Sequence, residues 1–464
     1  MLGKHMRTVA AGLLASLAIV APAHAVDFHV ASDTIGQGYQ LITSSGEVLK
    51  RSRIHQMLGL NIYDMTGDGT NSISFVSQLR FNSDFGITDI ETANIPQLKN
   101  NNFSILYAYF EMKGLLPYID MRLGRQLLID DSDFTMMDGA LFTVHTGFHL
   151  AVEVYAGIEV KDAGFLGVIS DTQLEVDGAG GFDDEEDEKT GIVVGGALLL
   201  EGIRDHHAKI GYRRIFTAAY TDPILQQESV FVDSERVFAN YHIRVIENLH
   251  LSAAASYDLV NGVFADIRVG ARAPRIAGVL DIEAYYWHLT PTFEGSSIFN
   301  VFSSKPMNDI DMRVRYHFGE GISGYLGGYV RLLENDKDDN DDDAVAEGIT
   351  DVGLRGGARF EVRPWWIGFD GSHQFGVSEL TTIDAFGGYR FLNQTLEVTG
   401  RVTTLIYDDP LIENLQGVSF GGQVGLAYRI SDLAKFHLVS ELNTNRIESL
   451  QFRLYGLVDL DFWL

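Results

Sequence analysis

The 464-residue chain contains no cysteine. That excludes disulfide scaffolds, thiolate metal sites and cysteine nucleophiles together. Proline is scarce, at 9 residues, so few positions interrupt a strand ladder. Basic residues are in deficit: 35 Lys and Arg stand against 63 Asp and Glu, a formal net charge of −28. A field of that sign repels phosphate backbones, and nucleic acid is not expected as a partner. Long apolar runs are missing too. Beyond residue 25 none approaches the ~18–20 residues that a membrane-spanning helix needs. What is present is the composition of an ordered chain, with 46% hydrophobic residues, 48 Gly, 19 Tyr and 28 Phe.

The first segment carries an address. Lys4 and Arg7 are basic, Val9–Val20 is a short apolar run, and Ala23-His24-Ala25 is a small-x-small cleavage site. Residues 1–25 are expected to be a secretory signal peptide and 26–464 a single β-domain. Val26 follows the cut, so no lipidated cysteine is expected there.

Period-2 alternation recurs through almost all of the remainder. In Asp309–Phe318 the odd positions are Asp309, Asp311, Arg313, Arg315 and His317, and the even ones are Ile310, Met312, Val314, Tyr316 and Phe318. In Val352–Val362 an apolar or small set (Val352, Leu354, Gly356, Ala358, Phe360, Val362) alternates with Gly353, Arg355, Gly357, Arg359 and Glu361. Soluble antiparallel sheets alternate as well. Three features point to membrane strands instead. The segments run about 10–13 residues, where soluble strands cluster near ~5–6 and tilted spanning strands need ~9–11. Aromatics gather near segment ends, at Tyr285-Tyr286-Trp287, Trp365-Trp366 and Phe462-Trp463, where interfacial girdles belong. The alternation also continues to the last residues.

Counting these segments predicts 22 strands, with 18 or 20 as alternatives because the first two are the least regular. Connections after even-numbered segments are short, as at Gly114–Pro117, Glu320-Gly321 and Arg363-Pro364. Those after odd-numbered segments are often long, as at 84–102, 161–189 and 334–349. Short turns on one rim and long loops on the other is the asymmetry of outer-membrane barrels. The expected fold is therefore all-β: a transmembrane, antiparallel, up-and-down β-barrel of about 22 strands.

Two stretches carry a family resemblance. Phe452–Leu464 places Phe452, Leu454, Gly456, Val458, Leu460, Phe462 and Leu464 in alternation, and resembles the assembly signal of bacterial outer-membrane barrels. That family usually ends on an aromatic, and Leu464 departs from this. Met121-Arg122-Leu123-Gly124-Arg125-Gln126, followed by Asp138-Gly139, resembles porins and alginate-export-type channel barrels. The two stretches cover a small part of the chain. They imply a cell outer-membrane location, with outer-membrane lipid, lipopolysaccharide and the barrel-assembly machinery as partners, and a periplasmic export partner if the direction is outward. TonB-dependent receptors are similar in strand number but carry a large N-terminal plug. Few residues lie between Val26 and the first segment, and no plug domain is expected.

If the apolar faces meet lipid, the polar faces line the lumen. Tyr107, Tyr109, Glu111, Asp120, Arg122, Asp281, Glu283, Arg313, Arg315, Arg355 and Arg359 are then lumen candidates. Such residues either pair across strands or form a polar conduit, with aromatic faces for sugars and Arg forks for hydroxyls and carboxylates. Residues 161–189 hold ten acids and two Lys, and residues 334–351 nine acids and one Lys. These read as solvated loops, or as carboxylate clusters bridged by divalent cations to anionic surface sugars. His145, His149, His206 and His207 are the catalytic candidates, but no HExxH, GxSxG or phosphate-cradling glycine loop accompanies them. No catalytic residue, metal or cofactor is expected. The functional expectation is a channel for polar solutes or saccharide chains, porin-like or export-type. The alternative is a non-transport barrel serving adhesion or as a structural partner in an envelope complex.

Overall fold

A computed structural model describes residues 26–42, 48–66, 72–86, 101–116, 118–130, 133–160, 191–221, 228–292, 306–333, 349–376, 379–408, 417–445 and 450–463. The expected signal peptide, the acidic stretches 161–189 and 334–348, and Leu464 lie outside the described residues.

One antiparallel sheet of 22 strands contains nearly everything described. The first seven are β1 (Asp27–Ile42), β2 (Val48–Tyr63), β3 (Ser72–Asp84), β4 (Asn101–Leu116), β5 (Ile119–Asp130), β6 (Asp133–His145) and β7 (Leu150–Glu159). Next come β8 (Gly191–Leu200), β9 (His206–Thr221), β10 (Glu228–Ile246), β11 (Leu249–Asp258), β12 (Val263–Ile276), β13 (Leu280–Leu289) and β14 (Met307–Gly319). The last eight are β15 (Ile322–Leu333), β16 (Ile349–Val362), β17 (Trp365–Phe375), β18 (Glu379–Phe391), β19 (Leu396–Asp408), β20 (Gly417–Ser431), β21 (Ala434–Thr444) and β22 (Gln451–Trp463). Each strand pairs with its chain neighbours. β1 also pairs with β22, from His29 opposite Trp463 to Gly38 opposite Leu454, so the sheet closes on itself. No strand edge remains.

All 22 expected segments are present, in the expected order. The largest differences are at β6, which begins at Asp133 rather than near 139, and at β10, which begins at Glu228 rather than near 235. Backbone pairing there outruns the amphipathic pattern: Asp130 lies opposite Asp133, so β5 and β6 form a tight hairpin where a longer connection was expected. Backbone ladders need no alternation to continue, and side-chain pattern therefore underestimates strand length.

Two observations decide which face is inside. Ile310, Met312 and Phe318 are 53%, 51% and 67% exposed, and Leu326, Val424 and Leu198 are similarly bare. On the opposite face, contacts skip a strand: Arg355 of β16 reaches Asp311 of β14, and Tyr325 of β15 reaches Asp370 of β17 at 2.8 Å. Side chains converge in this way only on the concave side of a curved wall. The polar face is the lumen and the apolar face the outer belt. Twenty-two strands at ~4.8 Å spacing and ~40° tilt give a circumference on the order of 140 Å. Among the described residues every strand belongs to the wall, and none forms a plug.

Turns at the short-connection rim use residues with positive φ. Gly321 (φ +78°) closes β14–β15, and a Cβ there would lie 2.0 Å from the Glu361 carbonyl oxygen. Gly278 (φ +80°) closes β12–β13 with nothing within 4 Å of such a Cβ. The two positions separate dihedral strain from steric overlap. Gly278→Ala is expected to cost about 1 kcal/mol from the backbone conformation alone. Gly321→Ala should cost at least twice as much, because the hairpin must also move off β16. Denaturant unfolding of the refolded barrel, followed by Trp fluorescence, compares the two.

Candidate lumen site

The wall is built from charged and aromatic side chains that satisfy one another. Across β12–β16 they alternate in sign. Glu283 accepts Arg272 Nε at 3.2 Å and also contacts the Arg313 guanidinium. Asp311 contacts Arg355, and Asp309 accepts Arg331 at 3.1 Å. Further round, Arg401 grips Asp384 with Nε and Nη2 at 3.0 and 2.9 Å, while Arg390 bridges Glu361 at 2.9 Å and Glu397 at 3.4 Å.

Glycine makes these long contacts feasible. A Cβ on Gly357 would meet Asp370 Oδ1 at 2.0 Å and Tyr325 Cε1 at 2.6 Å, and one on Gly353 would meet the Tyr329 ring at 2.0 Å. Bare backbone on the intervening strand lets tyrosine lie flat on the wall and reach two strands away. Tyr329 donates to Gln374 at 2.6 Å, and Trp366 Nε1 donates to Glu397 of β19 at 2.8 Å, over Gly388.

The lumen candidates fall on this inner face by register. Tyr107 donates to Gln78 at 2.8 Å, and its ring lies 6.1 Å from Tyr109. Arg122 sits 5.6 Å from the Tyr109 ring centroid and donates to Glu111 at 2.9 Å. Glu111 also accepts Lys113 at 2.9 Å. Asp120 contacts His145 Nε2 at 3.0 Å, and His145 Nδ1 lies 2.8 Å from Glu201. Asp281 contacts His317 at 2.9 Å. Arg359 lies 5.2 Å over the Trp366 ring and 3.3 Å from Glu361. Arg315 differs from the others. It lies 6.0 Å over Tyr325, and among the described residues no carboxylate comes within 4.0 Å of it.

Three features depart from the sequence reading. The inner face of β5–β9 carries an apolar patch among its polar residues: Leu128, Met137, Leu141, Tyr155, Val193 and Ile215 form a buried cluster, with Met137 and Val193 at 0% exposure. The wall is crimped here. Gly124 has φ +125°, and a Cβ on Gly139 would lie 2.2 Å from the Ala156 carbonyl oxygen. Inner side chains are thereby brought against one another. Second, Arg125 and Asp138 form a two-pronged pair, both bonds 2.8 Å, yet by register they share the outer face with Phe110 and Ile158. Third, the aromatic groups expected as girdles are split: Trp365 and Tyr286 face out and Trp366 faces in, while Tyr285 and Trp287 face in as the alternation of their strand implies. Trp287 Nε1 donates to Asp266 at 3.2 Å. The missed inner glycines had a sequence signal, since Gly353 and Gly357 occupy polar-face positions beside Arg355 and Arg359. In the closing segment, Gly456, Leu460 and Phe462 fall on the outer face of β22, opposite Gly36, Ser32 and Val30 of β1.

Of the histidines considered for catalysis, His145 bridges two carboxylates, and His206 Nδ1 lies 2.8 Å from the Tyr241 hydroxyl. Among the described residues no group of three or more His, Asp or Glu is placed to hold a metal ion.

A closed antiparallel ring, apolar outside and ionised inside, is the architecture of transmembrane β-barrels. No protein-family model matches the chain, and no curated protein matches it. Among solved structures, the chain is similar to OccAB2 of Acinetobacter baumannii at 9% identity and TM-score 0.47, covering 95% of this chain and 98% of that one. It is also similar to the outer membrane protein OpdK of Pseudomonas aeruginosa at 9% identity and TM-score 0.41, covering 95% and 99%. OccK5 (OpdH) of P. aeruginosa is similar at 9% identity and TM-score 0.43, covering 95% and 98%.

The Glu283 hub gives a direct test of the wall. Its side chain is 12% exposed and faces two guanidiniums. Glu283→Gln is expected to destabilise the barrel by about 2 kcal/mol, because both arginines lose a charged acceptor. Arg313→Met should cost less in that background than alone, with a coupling of about 1–2 kcal/mol in a double-mutant cycle of unfolding free energies.

Proposed function

We propose that this chain is an outer-membrane channel that passes polar solutes passively through its lumen. The observation that carries the reading is the closed ring with an ionised inner wall: 22 strands enclose a lumen wider than side chains alone fill, and its lining is polar. Arg and carboxylate are nearly balanced there, which suits hydrated polar solutes of either sign better than strong anion selection. The pairs are mutually satisfied, and this favours passage over catalysis, since an acid or base committed to an ion pair is a poor proton carrier. Tyr107, Tyr109, Glu111, Asp120, Arg122, Asp281, Glu283, Arg313, Arg315, Arg355 and Arg359 line the conduit in this reading. Gly456, Leu460, Phe462 and Leu464 serve as the assembly signal read by the barrel-assembly machinery. The outer belt meets lipid and lipopolysaccharide.

Purified protein in planar bilayers should give a steady open conductance, and persistent silence would overturn the channel. Of the five lumen arginines named above, Arg315 is the one with no described carboxylate within 4.0 Å, and Arg359 is shared between an aromatic face and Glu361. Arg315→Gln together with Arg359→Gln should therefore shift the reversal potential toward cation selectivity. Deleting Asp183–Glu188, which the sequence reads as part of a solvated loop, should leave it nearly unchanged at physiological salt, because solvated charges are screened over about 8 Å. Insertion into lipid has its own test. Val314→Arg, on the outer face near mid-strand, should cost roughly 2–4 kcal/mol in vesicles. His317→Arg, on the inner face beside Asp281, should cost far less, and equal penalties would contradict the lipid-facing assignment.

A further inference from the structure

The outer face of β5 and β6 carries an ion pair at a height where a membrane belt is otherwise apolar. Arg125 lies near the middle of β5 and Asp138 near the middle of β6, directly opposite one another in register. Both bonds of the pair measure 2.8 Å, and Arg125 Nη1 also donates to the Ile105 carbonyl oxygen of β4 at 3.2 Å. The guanidinium is thereby drawn onto the wall, whereas the Asp138 side chain remains 44% exposed. Its surroundings are apolar. Leu123 and Ala140 occupy the neighbouring row toward the short-turn rim, and Ile158 lies opposite Asp138 on β7. Phe110 and Phe142 stand exposed close by.

An ion pair in hydrocarbon keeps its internal attraction but loses the water that would solvate its outer side. On the outer face of a barrel, charge is costliest at mid-bilayer. Lipid tails offer that carboxylate no donor, and lipid headgroups lie at the rims rather than at mid-height. A protein surface can cover the pair, and its geometry identifies which one. Arg125 and Asp138 stand side by side on adjacent strands. A two-fold axis along the membrane normal, passing between β5 and β6, sets each Arg125 against the Asp138 of a second copy. The pair is therefore complementary to itself. The hairpin above it closes tightly, with Asp130 opposite Asp133, so β5 and β6 present a low rim to an approaching copy.

We infer that this chain forms a two-fold dimer through the outer faces of β5 and β6. Two guanidiniums and two carboxylates alternate at its centre, and Phe110, Phe142 and Ile158 shield them from lipid. The inference rests on the outer face meeting lipid and not on conduction.

Cross-linking in reconstituted vesicles tests it, since the chain has no cysteine of its own. Ala140→Cys, beside the axis, should be joined by a short bis-maleimide into a dimer in about half of the chains. Leu354→Cys, exposed on the outer face of β16 across the barrel, should give less than about a tenth of that yield. With Ala140→Cys as reporter, Arg125→Gln and Asp138→Asn should each lower the dimer about three-fold or more. Mixed in one membrane the two variants should recover at least two-fold, because one then supplies the carboxylate and the other the guanidinium. That recovery also reports that both barrels have closed. No dimer from Ala140→Cys in the otherwise native chain would overturn the inference, as would a yield no higher than that of Leu354→Cys. Full cross-linking in both charge variants would contradict the role of the pair. A monomeric barrel that conducts would leave the channel standing, and a silent dimer would leave this interface standing.

Discussion

Everything in this molecule follows from the demand that each backbone N–H and C=O find a partner without water. A flat sheet leaves two edges unpaired, and in hydrocarbon each orphaned group costs several kcal/mol. Pairing β1 with β22 removes the edges, and the rest is a consequence of that ring. Closure forces curvature, and curvature gives the sheet a convex side where side chains splay apart and a concave side where they meet. Ile310 and Phe318 can stand bare on the first only because they are apolar. Arg355 can reach Asp311 on the second only because the wall bends toward it.

Curvature also explains the glycine content. A concave wall carrying Arg, Tyr and Trp would overfill its first layer if every position bore a side chain. Gly353, Gly357 and Gly388 relieve this by letting Tyr329, Tyr325 and Trp366 lie over backbone. These aromatic side chains therefore lie close along the wall and hydrogen-bond two strands away. Where glycines crowd together, at Gly124, Gly139 and Gly157, the wall crimps, and the inner face becomes a small apolar core instead.

Much of this was legible in the amino-acid sequence, and the illegible parts have physical causes. The alternation of Asp309–Phe318 revealed a strand and its two faces, and the parity of connection lengths revealed the ring, because both depend on local chemistry. Strand ends were less legible, since Asp133 and Glu228 extend ladders by backbone pairing alone. The identity of ion-pair partners was not legible, because pairs such as Arg355–Asp311 skip a strand and depend on Gly327 between them. Period-2 alternation could not show that β5–β9 gather an apolar patch on their inner face or that Arg125 and Asp138 face outward. Periodicity separates two faces but does not say which is concave.

The central claim is that polarity alternates across a closed wall, with water on one side and lipid on the other. The natural absence of cysteine allows it to be tested residue by residue. Single cysteines placed from Asp309 to Phe318 in the membrane-embedded protein can be probed with a charged, water-soluble thiol reagent. The account predicts rapid labelling for Asp309→Cys, Asp311→Cys, Arg313→Cys and Arg315→Cys, and protection for Ile310→Cys, Met312→Cys and Val314→Cys. Uniform labelling along the strand, or labelling with the opposite phase, would contradict it.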